Sequence, residues 1–282
     1  MSRNILHAIL ETKRKEVEAL RRGSDPEALK AAAAAAPPAR NLFAAMTKPP
    51  RGLINLIAEV KRASPSAGVI REDFDPVAIA REYEAAGADA ISVLTDEVYF
   101  QGSLEHLRAV RRAVELPVLR KDFLVDPLQL YESRAAGADG VLLIAAAVPP
   151  GNLMDLMILA AELRLTALVE VHGADELLQV RSMIGFPRPG YSLLGINNRD
   201  LTTFQTDIST TLRLAGMVDD TVPIISESGI KTRRDVQRLR AGGACGILVG
   251  EALMRSEDIG QAIAALLGPA GEPGRERPGA EP

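Results

Sequence analysis

The chain has 282 residues, 47% of them hydrophobic, which suits one large barrel or two modest domains. Its 33 basic and 37 acidic residues nearly balance, so no basic field marks a nucleic-acid binder, and the lack of Trp with 4% aromatic content argues against base-stacking platforms. A single cysteine, Cys245, excludes an intramolecular disulfide framework, and no apolar run reaches the roughly 18 residues needed to span a bilayer.

The N-terminal stretch soon turns charged, with Glu11, Glu16 and Glu18, and carries no signal-peptide core, so a cytoplasmic protein is expected. Ile5, Leu6, Ile9, Val17 and Leu20 recur on a helical period among Lys, Arg and Glu, which predicts an amphipathic helix packed on the body of the protein. A second short helix is predicted from Pro26 to Ala36, and the two form an N-terminal helical extension over residues 1–50. Eight apolar runs follow, near 54–61, 90–95, 117–122, 140–146, 166–171, 193–198, 222–227 and 246–250, with helical patterns between them. One unit recurs: Ala85-Ala86-Gly87-Ala88-Asp89 and Ala135-Ala136-Gly137-Ala138-Asp139 each lead from a helix end, through a glycine cap, into a buried strand. A degenerate third copy, Ala241-Gly242-Gly243-Ala244-Cys245, precedes the last run.

Eight βα units in about 220 residues predict an α/β protein, a (β/α)8 TIM barrel over 51–267, rather than an open doubly wound sheet. Residues 184–192 read as an extended loop before the sixth strand. The Pro/Gly/Glu-rich stretch 268–282 reads as a disordered tail.

A barrel of this kind keeps its active site at the C-terminal ends of its strands. Charged residues collect there. Glu59 and Lys61 share one face at the end of the first strand, followed by Ser64. Lys121 and Phe123 share a face after the third, and Arg120 and Asp122 take the other. Glu170 ends the fifth strand, and Asn197 and Arg199 share a face at the end of the sixth. The turns Ser228-Gly229 and Gly250-Glu251 follow strands seven and eight, where barrels of this class bind phosphate through backbone N–H groups. Three cations on one pocket suit an anionic substrate; their mutual repulsion together with burial pushes a lysine pKa down toward that of a useful general acid, while a carboxylate two residues away counteracts the shift and can hold the lysine's orientation. The bland alternative makes each pair a solvated salt bridge.

Other residues carry less. His7, His106 and His172 lack metal-ligand spacing; His172 follows strand five, where it could touch the pocket but reads rather as a loop residue. Cys245 reads as a small buried residue. Asp89 and Asp139 begin strands and are expected to be structural. Tyr99-Phe100-Gln101-Gly102 is either a substrate-facing loop or a cap on the barrel.

From the N-terminal helix to about Leu267, the chain resembles indole-3-glycerol phosphate synthase. The segments Ile57-Ala58-Glu59-Val60-Lys61-Arg62-Ala63-Ser64-Pro65-Ser66, Leu119-Arg120-Lys121-Asp122-Phe123, Gly195-Ile196-Asn197-Asn198-Arg199-Asp200-Leu201 and Ser226-Glu227-Ser228-Gly229-Ile230 carry the likeness. So does the stretch from Ser92 to Gly102 after strand two. The resemblance implies ring closure, decarboxylation and dehydration of 1-(2-carboxyphenylamino)-1-deoxyribulose 5-phosphate, with no cofactor and no metal. It implies Lys121 as general acid in ring closure, with Lys61 and Glu59 in dehydration or positioning. It further implies Glu170 as a stabiliser of positive charge, and Asn197 and Arg199 as ligands of polar substrate groups. Phe123 would pack on the ring, Ser64 would meet the carboxylate end, and Ser228, Gly229, Gly250 and Glu251 would hold phosphate. Glu251 departs from family members that have Ser there, so its carboxylate must turn from the phosphate. A Schiff-base aldolase using Lys121, or an inactive phosphate-ester-binding barrel, are the alternatives. A monomer or weak homodimer is expected, with no nucleic-acid or membrane partner.

Overall fold

The computed structural model describes residues 5–183, 185–200 and 203–268. Eight strands form the barrel: β1 (Asn55–Val60), β2 (Ala90–Leu94), β3 (Val118–Lys121), β4 (Gly140–Ile144), β5 (Thr166–Val171), β6 (Ser192–Asn197), β7 (Ile224–Glu227) and β8 (Ala244–Val249). Each pairs in parallel with its sequence neighbours, and β8 closes on β1. All the predicted strands are present. The seventh starts later than expected, at Ile224, because Pro223 has no N–H for the ladder. The recurring unit works as expected: Gly87 and Gly137 take φ of 91° and 90°, which ends a helix and turns the chain into the next strand.

Side-chain alternation divides the core in two. One set (Ala58, Val60, Val93, Val141, Leu143, Val169, Leu194, Ile247) faces outward and is covered by the helices. The other (Ile57, Leu119, Leu142, Leu168, Leu193, Ile225, Leu248) fills the barrel interior. The N-terminal helices close that interior at both ends. Helix α1 (Ile5–Gly23) crosses the C-terminal mouth, where Leu6 and Leu10 join the interior core. Helix α2 (Pro26–Ala35) runs down the side against the helix Pro127–Ala135, and Arg134 donates to the Ala36 carbonyl at 3.1 Å. Helix α3 (Leu42–Thr47) plugs the bottom, with Leu42 and Met46 fully buried.

The bottom is latched by the two strand-initial aspartates. Asp89 accepts from the Leu56 N–H at 3.0 Å and pairs with Lys48 at 2.9 Å. Asp139 accepts from the N–H groups of Arg40 and Val118 at 2.7 and 2.8 Å. Their structural role is as expected. The top is latched by a lysine that sequence reading passed over. Lys13 of α1 is 2% exposed, and its ammonium lies 2.9 Å from both Asp96 and Asp122. Asp122 also pairs with Arg120, at 3.1 Å, and accepts from Thr95 at 2.6 Å. Burial would raise the Asp122 pKa, but Arg120 and Lys13 outweigh it and hold the carboxyl at about 2. Among the described residues no helix is long and apolar enough to cross a membrane. The tail predicted from 268 onward lies, beyond Gly268, outside the described residues.

Candidate active site

A cavity of about 650 Å3 opens at the C-terminal mouth, and every predicted site residue lines it: Glu59, Lys61, Ser64, Lys121, Phe123, Glu170, Asn197, Arg199, Ser228, Gly229, Gly250 and Glu251. Strand parity places the central ones. Glu59 continues the inward face of Ile57, Lys121 that of Leu119, Glu170 that of Leu168 and Asn197 that of Leu193. The same rule brings in Glu227, two residues after Ile225, which also lines the cavity and which sequence reading left out. Two glycines make room for these carboxylates. A Cβ on Gly195 would collide with Oε1 of Glu227, and a Cβ on Gly250 would lie 2.9 Å from Cδ of Glu59. The absent Gly250 side chain therefore clears space for Glu59; the expected approach to phosphate is left to its backbone.

The floor holds two charge groups. Lys61 lies 2.6 Å from Glu59. Lys121 donates to Glu170 at 3.2 Å and lies 3.2 Å from Glu227. Around Lys121 the carboxylates decide the direction of the shift. Burial lowers its pKa, but Glu170, Glu227 and then Glu59 outweigh burial and hold the ammonium above its ordinary range. The cations do not simply face one another, because carboxylates are interleaved among them. Burial raises Glu170 too, yet Lys121 and His172 hold it well below its ordinary value. Glu227 goes the other way. Burial pushes it up most, and with the like charge of Glu170 it outweighs the downward pull of Lys121.

His172 does not behave as an ordinary loop residue. Its Nε2 stands 3.2 Å from Glu170 and its Nδ1 3.3 Å from Glu176. Just past the end of β6, Asn198 donates to Ser226 and to the Ser228 carbonyl, both at 3.0 Å, fixing the turn after β7. Tyr83 is buried and donates to the Glu59 carbonyl at 3.1 Å.

The cavity is polar at one end and apolar at the other. Ile5, Leu6 and Ile9 of α1, with Phe100, Phe123, Leu142 and Ile144, make the apolar wall. Phe123 and Phe100 have ring centroids 6.0 Å apart. Phe100 thus faces the cavity, while Tyr99 next to it donates to the Ala8 carbonyl of α1 at 3.1 Å, so the loop after β2 does both jobs considered for it. The opposite end holds Ser228, Gly229, Gly250 and Glu251 together with Lys231 and Arg255. Ser228 and Gly229 both take left-handed backbone, φ 67° and 75°. The Glu251 carboxylate is occupied by Arg255 at 3.1 Å and Arg199 at 3.7 Å. Ser64 Oγ accepts from the Ala67 N–H at 3.2 Å within the ribbon Ala63–Ser64 and Gly68–Val69. Among the described residues, no group of three or more His, Cys, Asp or Glu side chains is placed to hold a metal ion.

The sequence model of indole-3-glycerol phosphate synthase matches residues 6–266. The indole-3-glycerol phosphate synthase of Geobacillus kaustophilus is 49% identical over 264 residues, 94% of this chain and 97% of the relative. That of Rhodopirellula baltica is 54% identical over 214 residues, covering 76% and 80%. Among solved structures, 3-hexulose-6-phosphate synthase from Salmonella typhimurium aligns with a TM-score of 0.60 at 14% identity, over 76% of this chain and 96% of that one, and shares the fold. A barrel with a paired lysine–carboxylate floor, an apolar wall and a Ser-Gly/Gly-Glu end, matched to one family along nearly its whole length, belongs to the indole-3-glycerol phosphate synthases, carboxy-lyases of tryptophan biosynthesis that act on a phosphorylated substrate.

Proposed function

We propose that the two charge groups on the cavity floor divide the proton transfers of the family reaction between them. The observation that carries this is their pairing: Lys121 sits between Glu170 and Glu227, and Lys61 sits on Glu59. The reaction needs a proton delivered to a ketone oxygen during ring closure and a hydroxyl removed afterwards.

In this reading the substrate's phosphate meets the backbone N–H groups of Gly229, Gly250 and Glu251 and the Ser228 hydroxyl. The aryl ring lies on Phe123 against the apolar wall, and its carboxylate lies toward Ser64. Asn197 and Arg199 hold the sugar hydroxyls. As the aryl carbon adds to the ketone, the oxygen becomes an alkoxide, a stronger base than a lysine amine. Lys121 stabilises that charge and then yields its proton, so a raised pKa makes it a late donor rather than a failed one. Glu170 stabilises the cation formed on the substrate, carbon dioxide leaves, and Lys61 with Glu59 assists loss of the hydroxyl. A Schiff-base role for Lys121 is disfavoured, since it needs a neutral amine.

The apolar face of α1 is taken up by the barrel, which favours a monomer or weak homodimer, and the lone cysteine suits the cytoplasm. The test is indole-product fluorescence with the carboxyphenylamino-deoxyribulose phosphate. Lys121→Ala is expected to abolish ring closure, whereas Lys61→Ala accumulates the cyclised, decarboxylated intermediate. Full turnover in both variants would sink the assignment.

A further inference from the structure

His172 lies two residues beyond Glu170, past the end of β5, and its side chain is 12% exposed. It is not among the cavity-lining residues, so its ring backs Glu170 from behind. A carboxylate stands at each ring nitrogen: Glu170 3.2 Å from Nε2 and Glu176 3.3 Å from Nδ1. The same Glu176 oxygen accepts the His172 backbone N–H at 2.8 Å, which fixes the ring at the entry to the helix Ala174–Arg181.

A carboxylate oxygen only accepts, and a neutral imidazole has one N–H and one lone pair. With Nδ1–H directed to Glu176, a neutral ring would turn its lone pair on Glu170. The arrangement is stable when both nitrogens carry protons. Burial would lower the His172 pKa, but Glu170 and Glu176 push it up to about 10. Other charged groups near Glu170 come from across the barrel, Lys121 on β3 and Glu227 on β7, with Glu59 beyond Lys121. The turn Ala145–Ala147 packed against β5 contributes no titratable group, and Asn197 at the end of β6 is uncharged.

We propose that His172 is a positioning residue for the reaction: an imidazolium, anchored by Glu176, that keeps Glu170 anionic when Lys121 gives up its proton. The proposal rests on the assignment of Lys121 and Glu170 to the reacting centre. When the Nζ–H bond of Lys121 breaks and the substrate O–H bond forms, the ammonium becomes a neutral amine. Glu170 and Glu227 then lose the cation they share. Glu227, raised to about 8, already holds a proton at neutral pH, so without a second cation the next proton to arrive would go to Glu170. His172 prevents this, because Glu170 keeps a counter-charge and stays anionic.

The experiment measures kcat and KM against pH for the full chain and for His172→Gln and Glu176→Gln. His172→Gln is expected to lower kcat by about tenfold or more with KM nearly unchanged. The acid limb of kcat/KM should move up by about one pH unit, because Glu170 must ionise without the imidazolium. Glu176→Gln keeps an acceptor for both His172 donors but removes the charge, and should move the limb the same way by less, with Tm unchanged. An unmoved limb in His172→Gln, whether kcat is kept or lost evenly at all pH values, overturns the proposal. If His172→Gln does not fold, the limb of Glu176→Gln decides, and an unmoved limb there also overturns it. Wild-type turnover in Lys121→Ala and Glu170→Gln would instead sink the underlying assignment, whatever His172→Gln does.

Discussion

Gly195 of β6 and Glu227 of β7 share one volume: a side chain on the first would occupy the space of the carboxylate on the second. The colliding atom is the end of a flexible side chain, so the carboxylate can turn aside without disturbing the sheet. Gly195→Ala should therefore lower kcat by about tenfold or more, since small misplacements at a reacting centre are costly, while Tm changes by only a few degrees. Steady-state turnover and thermal melts check this. An unchanged kcat would show that the position of Glu227 is unimportant.

Glu227 also leaves a signature in stability. Its pKa is raised on folding from the ordinary 4.5 to about 8, so between those values the folded state binds a proton that the unfolded chain does not. Its contribution is fully present below 4.5 and declines as pH rises toward about 8. Glu227→Gln, a neutral mimic, should gain Tm over the wild type progressively across that window while losing activity. A Tm difference that is flat with pH would contradict this.

Lys13 makes a different kind of test. Lys13→Met leaves Asp96 and Asp122 buried, 0% and 2% exposed, with Arg120 the remaining partner of Asp122. Removing one partner of a buried charge cluster costs about 3–5 kcal/mol. The loss should loosen α1, so that KM rises as Ile5, Leu6 and Ile9 leave the apolar wall, and limited proteolysis should cut first near α1. Folding raises the Lys13 pKa, through Asp122 and Asp96 against burial, and lowers that of Asp122. The lysine's contribution is thus present below 10.5 and lost above its folded value; that of Asp122 is present above 3.8 and lost toward about 2. Across neutral pH the latch should not titrate.

At the phosphate end, the Glu251 carboxylate occupies Arg199 and Arg255. Glu251→Ser releases both cations and adds a hydroxyl. KM should fall by about two- to fivefold, the range of an exposed ion pair, with kcat little changed. A rise in KM would mean that Glu251 orders Arg199 for the substrate.

The strands and most of the mouth were legible because inward parity is set by apolar residues that occur in the sequence. Glu59, Lys121, Glu170 and Asn197 simply continue the rows of Ile57, Leu119, Leu168 and Leu193. Glu227 obeys the same rule after Ile225, but its row is short, since β7 begins only at Ile224, and the serines on either side drew attention to the phosphate turn instead. Lys13 had a signal too. It fills the gap in the apolar stripe between Ile9 and Val17, where a lysine reads as surface until Asp96 and Asp122 are known to cover it. The direction of the Lys121 shift was not legible. It depends on two carboxylates, from β5 and β7, that only barrel closure brings to one ammonium.

The first helix at the mouth and the third at the base both depend on strands that come later in the chain. Lys13 needs Asp122 before it has its full set of counter-charges, and Met46 sits against Gly246 and Ile225 of the last two strands. The helices that precede the barrel in the chain are thus completed only by its later strands, and until β8 has been made the growing chain carries Leu42 and Met46 without the interior that buries them.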